Sequence, residues 1–326
     1  MRMKLLVVND THIRGTTPSR RVDNFKETLL IKLKEVHTLA QEREVDIILH
    51  GGDLFDRPDT APSIVSEFVK LLRNFSMPIY ITAGNHDLYG HNPDTLPRTM
   101  LGLLEASGIV NIIGEEGTVF EEDDIKVQLT GRNFDYTLDN DTTTAYEIKK
   151  QPEVDYALHL VHGMLLDKPV FEEGYTLIED IETEADITIT GHYHLGYGIK
   201  EFKETYFLNP GALVRISADL KEIARMPQVA LIDLKDGIDI ELIKLSSAQQ
   251  GKDVLDRTEL EKQKFREKRL ADFNQQISAA GEFKHFKIND ILDEVANNQN
   301  ISQAVKEEAL ARISQAQENL GGQGSK

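Results

Sequence analysis

The hydrophobic positions early in the chain fall in short unbroken runs. Leu5-Leu6-Val7-Val8, Val45-Asp46-Ile47-Ile48-Leu49, Pro78-Ile79-Tyr80-Ile81-Thr82, Tyr156-Ala157-Leu158-His159-Leu160-Val161 and Ala185-Asp186-Ile187-Thr188-Ile189-Thr190 are the clearest. Runs of this length read as strands buried in a parallel sheet. Between the first three, the period changes to that of a helix. Phe25, Leu29, Leu30, Leu33, Val36, Leu39 and Ala40 predict a helix over residues 23–43, with Asp23 as its N-cap. Ile64, Val65, Phe68, Val69, Leu71 and Leu72 predict a second over 62–75, capped by Ser63. Strand, helix and strand in succession make a βαβ unit. A third helix, over 96–107, carries Leu96, Met100, Leu101, Leu103 and Leu104, more apolar positions than one buried stripe needs.

The pattern then changes. Val110-Asn111-Ile112-Ile113 is followed by a hairpin, Thr118-Val119-Phe120 and residues 125–130 around an acidic turn. Residues 228–234 and 238–245 alternate around Lys235-Asp236-Gly237, a strong hairpin signal. A parallel half is thus followed by antiparallel strands. Strand signals stop at Gln249. Residues 259–277 and 301–320 read as helices separated at Gly281, with Phe283, Phe286, Ile288, Ile291 and Leu292 between them, and 321–326 as disordered. The expected organisation is a domain over 1–246, a helical tail over 247–320 that serves as a reduced cap or a partner-binding segment, and a disordered end.

Polar chemistry gathers where the apolar runs end. The first closes on Asn9-Asp10-Thr11-His12, the second on Gly51-Gly52-Asp53-Leu54-Phe55-Asp56, and the third on Gly84-Asn85-His86-Asp87. The fourth closes on His162-Gly163 and the fifth on Gly191-His192-Tyr193-His194. Ligands of open α/β sheets bind outside the C-terminal ends of the strands. Asp10 and His12 share a parity, as do His192 and His194, so each pair would point one way from an extended segment. His159 lies inside its strand and reads as a core residue. Asp10, His12, Asp53, Asn85, His162, His192 and His194 are the candidate metal ligands. Oxygen and imidazole donors without cysteine suit Mn²⁺, Fe²⁺ or Zn²⁺.

Composition adds limits. The 326 residues allow one large domain or two modest ones, and no run is long and apolar enough for a membrane span. The opening Met1-Arg2-Met3-Lys4 leads straight into a strand and does not resemble a signal peptide. The absence of cysteine fits a reducing cytoplasm and excludes thiolate sites. Net charge is −18; residues 247–326 hold 12 Lys+Arg against 13 Asp+Glu, so the body carries −17. That acidity weighs against a nonspecific nucleic-acid binder and toward a small-molecule substrate.

Taken jointly, the five strand-end motifs resemble the calcineurin-like metallophosphoesterase superfamily. Gly52-Asp53-Leu54-Phe55-Asp56 followed by Ala61-Pro62-Ser63 is similar to its SbcD-type DNA repair nuclease branch. The resemblance implies an α/β fold, a four-layer αββα sandwich with a small helical C-terminal region. It implies two divalent ions, Mn²⁺ first and Fe²⁺, Zn²⁺ or Mg²⁺ as alternatives, bridged by Asp53. Asp10, His12, Asp53 and His194 would hold one ion, and Asp53, Asn85, His162 and His192 the other. His86 would stand beside the scissile phosphate, with Asp87 orienting it. The implied activity is a DNA exonuclease and endonuclease acting with an SbcC-type coiled-coil ATPase. A phosphodiesterase or phosphatase of the same superfamily acting on small molecules is the alternative. A homodimer through the helices near 63–75 and 96–107 is also implied, with Leu101 and Leu104 in its apolar stripe. Longer members carry a mixed α/β cap before a partner-binding helical segment; here the expectation is a cap that is reduced or missing.

Overall fold

The computed structural model describes residues 2–122, 124–140 and 143–258, with 261, 262, 265, 266, 268, 269, 302, 304–309, 311 and 312. Helical backbone at 304–309 falls inside the helix expected over 301–320. Residues 261, 262, 265, 266, 268 and 269 are helical inside the one expected over 259–277. Gly281, the apolar residues from Phe283 to Leu292 and the end at 321–326 lie outside the described residues. The chain divides into two compact units, Met1–Arg257 and Thr258–Lys326.

The first unit begins β1 (Met3–Val8), α1 (Phe25–Glu42), β2 (Ile47–His50), α2 (Pro62–Leu72), β3 (Ile79–Ile81), α3 (Met100–Ala106) and β4 (Asn111–Ile112). Next come β5 (Thr118–Glu122), β6 (Ile125–Arg132), β7 (Tyr156–Val161), β8 (Leu165–Leu166) and β9 (Thr176–Leu177). It ends with β10 (Ile187–Thr190), β11 (Gly198–Phe202), β12 (Thr205–Asn209), α4 (Leu220–Ala224), β13 (Gln228–Leu234), β14 (Ile238–Lys244) and α5 (Gly251–Val254). One six-stranded sheet has the order β14-β13-β1-β2-β3-β4, and a second has β11-β12-β10-β7-β6-β5. β1 to β4 are mutually parallel, and so are β6, β7, β10 and β12. Hairpins add β14 to β13 and β5 to β6 antiparallel.

Burial on both faces explains the unbroken apolar runs. Met3, Leu5 and Val7 of β1 enter the core between the sheets, while Leu6 and Val8 enter the core under the helices. Ile47 and Leu49 of β2 and Ala230, Ile232 and Leu234 of β13 likewise join the inter-sheet core. The helix-side core takes Phe25, Leu29, Leu33 and Val36 from α1 and Phe68, Leu71 and Leu72 from α2. The outer face of the second sheet is covered differently. Leu138, Tyr146, Ile178 and Ile181, from irregular chain and short 3₁₀ turns, pack there on Val161 and Phe207.

Several local expectations are corrected. Asn24, not Asp23, caps α1, accepting from Glu27 N at 3.3 Å. The Asp23 carboxylate instead accepts from Arg21 and from Thr28 Oγ1 (2.6 Å). Ser63 does not cap α2, which starts at Pro62 behind Ala61 with no side-chain cap; proline's fixed φ suits that first position. The helix expected over 96–107 splits in two. Pro97, which has no N–H, sits in a 3₁₀ segment, Pro93–Arg98, and Thr99 then caps α3 through Gly102 N at 3.1 Å. Leu101 and Leu104 are 0% and 2% exposed, so they belong to the core and not to a surface stripe. Leu103, at 53%, is the α3 leucine that faces out.

Residues 247–257, expected in the tail, pack into the first unit. Ala248, Val254 and Leu255 are buried. Val22 N donates to Val254 O (3.1 Å), and Asp256 N to Arg20 O (2.8 Å).

Candidate metal centre

The C-terminal ends of β1, β2, β3, β7 and β10 meet at one edge of the sandwich. Asp10 N donates to Gly52 O (3.3 Å), His12 N to Asp53 O (3.0 Å) and Ile13 N to Leu54 O (2.8 Å), which ties the first two loops together. The loops are not extended. Asp10, His12, Asp53 and His192 have φ of 48°, 44°, 51° and 70°. Residues with a Cβ enter this left-handed region only at a cost in energy, and such strain gathers at functional sites. These bends, and not a shared parity, aim Asp10 and His12 at the same point. Gly84 is required by proximity, because a Cβ there would overlap the Asp53 carboxylate.

Asp53 stands at the middle. Its Oδ1 accepts from His86 N at 2.8 Å, and its Oδ2 is buried without a hydrogen-bond partner. Oδ2 lies 3.7 Å from His12 Nε2 and 3.4 Å from His162 Nε2. On one side Asp10, His12, Asp53 and His194 offer ligand atoms that all lie within 4.8 Å of one another. On the other side Asp53, His162 and His192 do the same. Asn85 joins the second group with Oδ1 3.2 Å from His162 Nε2. His12 and His194 bring their Nε2 atoms to 3.0 Å. Asp10 accepts from His192 N at 3.0 Å through Oδ1, leaving Oδ2 buried and unpartnered.

The electrostatics fit a cation. Burial pushes the Asp10 carboxyl up to about 7, against the pull of His162 and with a further push from Asp53. Burial drives His12 well below the usual imidazole range, His192 to about 3 and His194 to about 4. Their lone pairs are therefore free to coordinate at neutral pH. Burial opposes charge on His162 too, yet Asp53 raises it to about 9. Asp53 is itself held well below the carboxylate range, because His162 and His12 outweigh its burial. The positive charge that Asp53 draws onto His162 is charge that a divalent ion could supply. Unpartnered buried carboxylate oxygens facing neutral imidazoles form an oxygen and nitrogen donor set suited to such ions.

His86 and Asp87 part company. The His86 side chain is exposed, its ring centroid 4.8 Å from that of His12. Its Nδ1 lies 3.0 Å from Asp56 O. The Asp87 carboxylate accepts from Phe55 N (2.9 Å), Gly84 N (3.0 Å) and Leu54 N (3.3 Å). It therefore fastens the Asp53 loop to the Asn85 turn, and the His86 ring is oriented by Asp56 instead. Burial pushes Asp87 up to about 7, with Asp53 adding to the shift. His159 is a core residue, satisfied by Thr130 Oγ1 (2.8 Å) and Ala145 O (2.9 Å).

Three further residues hold the loops together. Asn9 Nδ2 donates to Thr190 O (2.7 Å), joining β1 to β10 across the sandwich. Asn209 Oδ1 accepts from Gly211 N (2.8 Å), and its Nδ2 donates to Tyr193 O (3.2 Å). His50 stands 3.3 Å from both Thr11 Oγ1 and Gly52 N. Asn9 is one residue from a candidate ligand, and Asn209 opens an Asn-Pro-Gly turn at another strand end. Those were the available signals.

Comparison with known proteins agrees with this geometry. The calcineurin-like phosphoesterase family model matches residues 3–196. The DNA double-strand break repair protein Mre11 of Archaeoglobus fulgidus is 25% identical over 258 residues, covering 72% of this chain and 55% of that protein. The double-strand break repair protein MRE11 of Encephalitozoon cuniculi is 21% identical over 255 residues, covering 66% and 42%. The chain thus spans about half the length of the curated relatives it matches. Among solved structures, the calcineurin-like phosphoesterase YfkN from Bacillus subtilis is 12% identical with a TM-score of 0.46, covering 74% of this chain and 90% of that one.

Proposed function

The chain belongs to the calcineurin-like phosphoesterase family, hydrolases that act on phosphoester bonds with divalent metals, and we propose that it is a DNA nuclease. One observation carries the reading. Asp53 Oδ2, buried and unpartnered, stands between two groups of ligand atoms. In this reading Asp10, His12, Asp53 and His194 hold one ion and Asp53, Asn85, His162 and His192 the other, with Mn²⁺ first among the ions. A bound pair would polarise the phosphoryl oxygens and generate a nucleophile from water. The protein's own part is to place and protonate. His86 donates Nδ1–H to the Asp56 carbonyl, which turns Nε2 outward. From there a protonated ring can stabilise the developing charge or give the Nε2 proton to the leaving oxygen. Asp87 holds the turn that carries Asn85 and His86.

DNA as substrate is supported by the relatives, which are named for double-strand break repair. An SbcC-type coiled-coil ATPase as partner, docked through the tail, and a homodimer through helices near 63–75 and 96–107 belong to the same reading. In such a dimer Leu103, not Leu101 or Leu104, would be the α3 contact. A net charge of −18 favours the second reading, a small-molecule phosphodiesterase or phosphatase. The test is hydrolysis of single- and double-stranded DNA with Mn²⁺, beside a chromogenic phosphodiester. Cleavage of DNA supports the nuclease. Turnover of the chromogenic ester alone favours the second reading, and turnover of neither overturns both.

A further inference from the structure

The chemistry of hydrolysis does not call for the aromatic wall beside the second group of ligands. Phe134 N donates to Ala83 O (2.9 Å), and Asn133 Oδ1 accepts from Ala83 N (2.6 Å). These bonds fix Phe134 next to the turn that carries Asn85. Its ring centroid lies 6.0 Å from that of His192, 6.4 Å from His162 and 5.8 Å from His91. The side chain is only half-buried. Tyr136, two residues further on, is 58% exposed, and its Oη donates to Gly90 O, beside His91. Large rings kept open to solvent at the rim of a polar site leave apolar faces for a planar ligand.

We propose that Phe134, with Tyr136 and His91 around it, is a stacking platform for an unpaired nucleobase of the nucleotide next to the scissile phosphate. This rests on the nuclease reading above and gives it a substrate class: single strands and frayed ends. The platform flanks His162 and His192, so the stacked base lies on that side of the cleaved bond. A stacked base must leave its duplex, which is easiest where it is already unpaired. Stacking also answers the chain's acidity. A surface of net charge −18 has little to offer phosphates, and Arg132, near the platform in sequence, is tied to Glu115 and Asp135. Binding should then depend weakly on salt, unlike binding through many phosphate contacts.

The experiment compares a single-stranded oligonucleotide with its abasic counterpart, using the Mn²⁺-loaded full chain. Wild type should prefer bases by roughly 10–100-fold in kcat/KM, the worth of one stacked base. That ratio should fall toward one in Phe134→Leu and Tyr136→Leu and persist in Phe134→Trp. A second readout is quenching of 2-aminopurine fluorescence in the oligonucleotide on binding in EDTA, where no turnover is needed. Quenching that Phe134→Leu abolishes supports the platform. Equal rates on both substrates, or quenching unchanged in the variants, overturn it. If wild type cleaves neither substrate, the nuclease reading falls, and the fluorescence result alone decides the platform. Quenching then supports it, and no quenching overturns it.

Discussion

His12 has one nitrogen too many for its own loop. Nε2 faces His194 and Asp53, while Nδ1 is buried without a partner. An imidazole that coordinates through one nitrogen carries its proton on the other, and that proton needs an acceptor. Asp56 Oδ1 lies 3.9 Å away, beyond hydrogen-bond distance but within a small side-chain shift of accepting it, and Arg14 Nη1 donates to the same oxygen at 3.0 Å. Asp56 would then serve twice: its carbonyl orients His86, and its carboxylate would orient a His12 that coordinates through Nε2. Only the second service depends on the side chain. Asp56→Asn should weaken Mn²⁺ binding by about 10–100-fold, read by titration calorimetry, while the His86 contact survives. Unchanged affinity would show that packing alone orients His12. The sequence displayed the residue types but not this arrangement. Asp10, His12, Asp53 and the three other histidines could be read from strand ends. The left-handed bends that converge them, and the Asn9 and Asn209 bonds that brace them, could not, because they join segments far apart in the chain.

At the level of elements, legibility followed burial. β1, β2, β7 and β10 are buried on both faces, and their apolar runs announced them. β11 is an edge strand of half-buried and exposed residues, and its Gly198-Ile199-Lys200-Glu201-Phe202 carries no such signal. The region around α3 departs from the single expected helix for a different reason. Its apolar residues are as numerous as the sequence shows, but Pro97 and Thr99 divide the segment and rotate what remains. Leu101 and Leu104 turn inward and Leu103 outward. This reverses the choice of residue for testing assembly. Leu101→Asp would bury a charge in the core and should prevent folding. Leu103→Asp should leave the fold intact, with stability changed by roughly 0.5 kcal/mol or less. If α3 forms part of a dimer, Leu103→Asp should also yield a monomer in sedimentation. A wild type that is already monomeric at micromolar concentration would remove α3 from consideration.

The molecule as a whole has its boundary later than the composition suggests. Strand signals end near Leu245, yet the core does not. Arg215, 2% exposed, donates through Nη1 to Gln249 O at 2.8 Å, and its other donors are satisfied by Arg225 O. Burial pulls this guanidinium down to about 10, with Arg225 adding to the effect. Removing Gln249 would leave part of a buried cation without an acceptor, an expensive loss. Val254 and Leu255 close the same corner against Ala218, and main-chain bonds from Val22 and Asp256 seal it. Two truncations should therefore behave differently. A chain ending at Ser247 loses these contacts, and its melting temperature should fall on the order of 10 °C, given the apolar burial removed. A chain ending at Arg257 keeps the whole first unit. It should melt within a few degrees of the full chain, bind Mn²⁺ with the same stoichiometry and retain hydrolysis of a chromogenic phosphodiester. What it should lose is capture by a coiled-coil ATPase, if the segment from Thr258 onward is a docking module. Capture that survives this truncation would move the docking surface onto the first unit. Equal stability of the two truncated chains would show that residues 248–257 contribute nothing to the core.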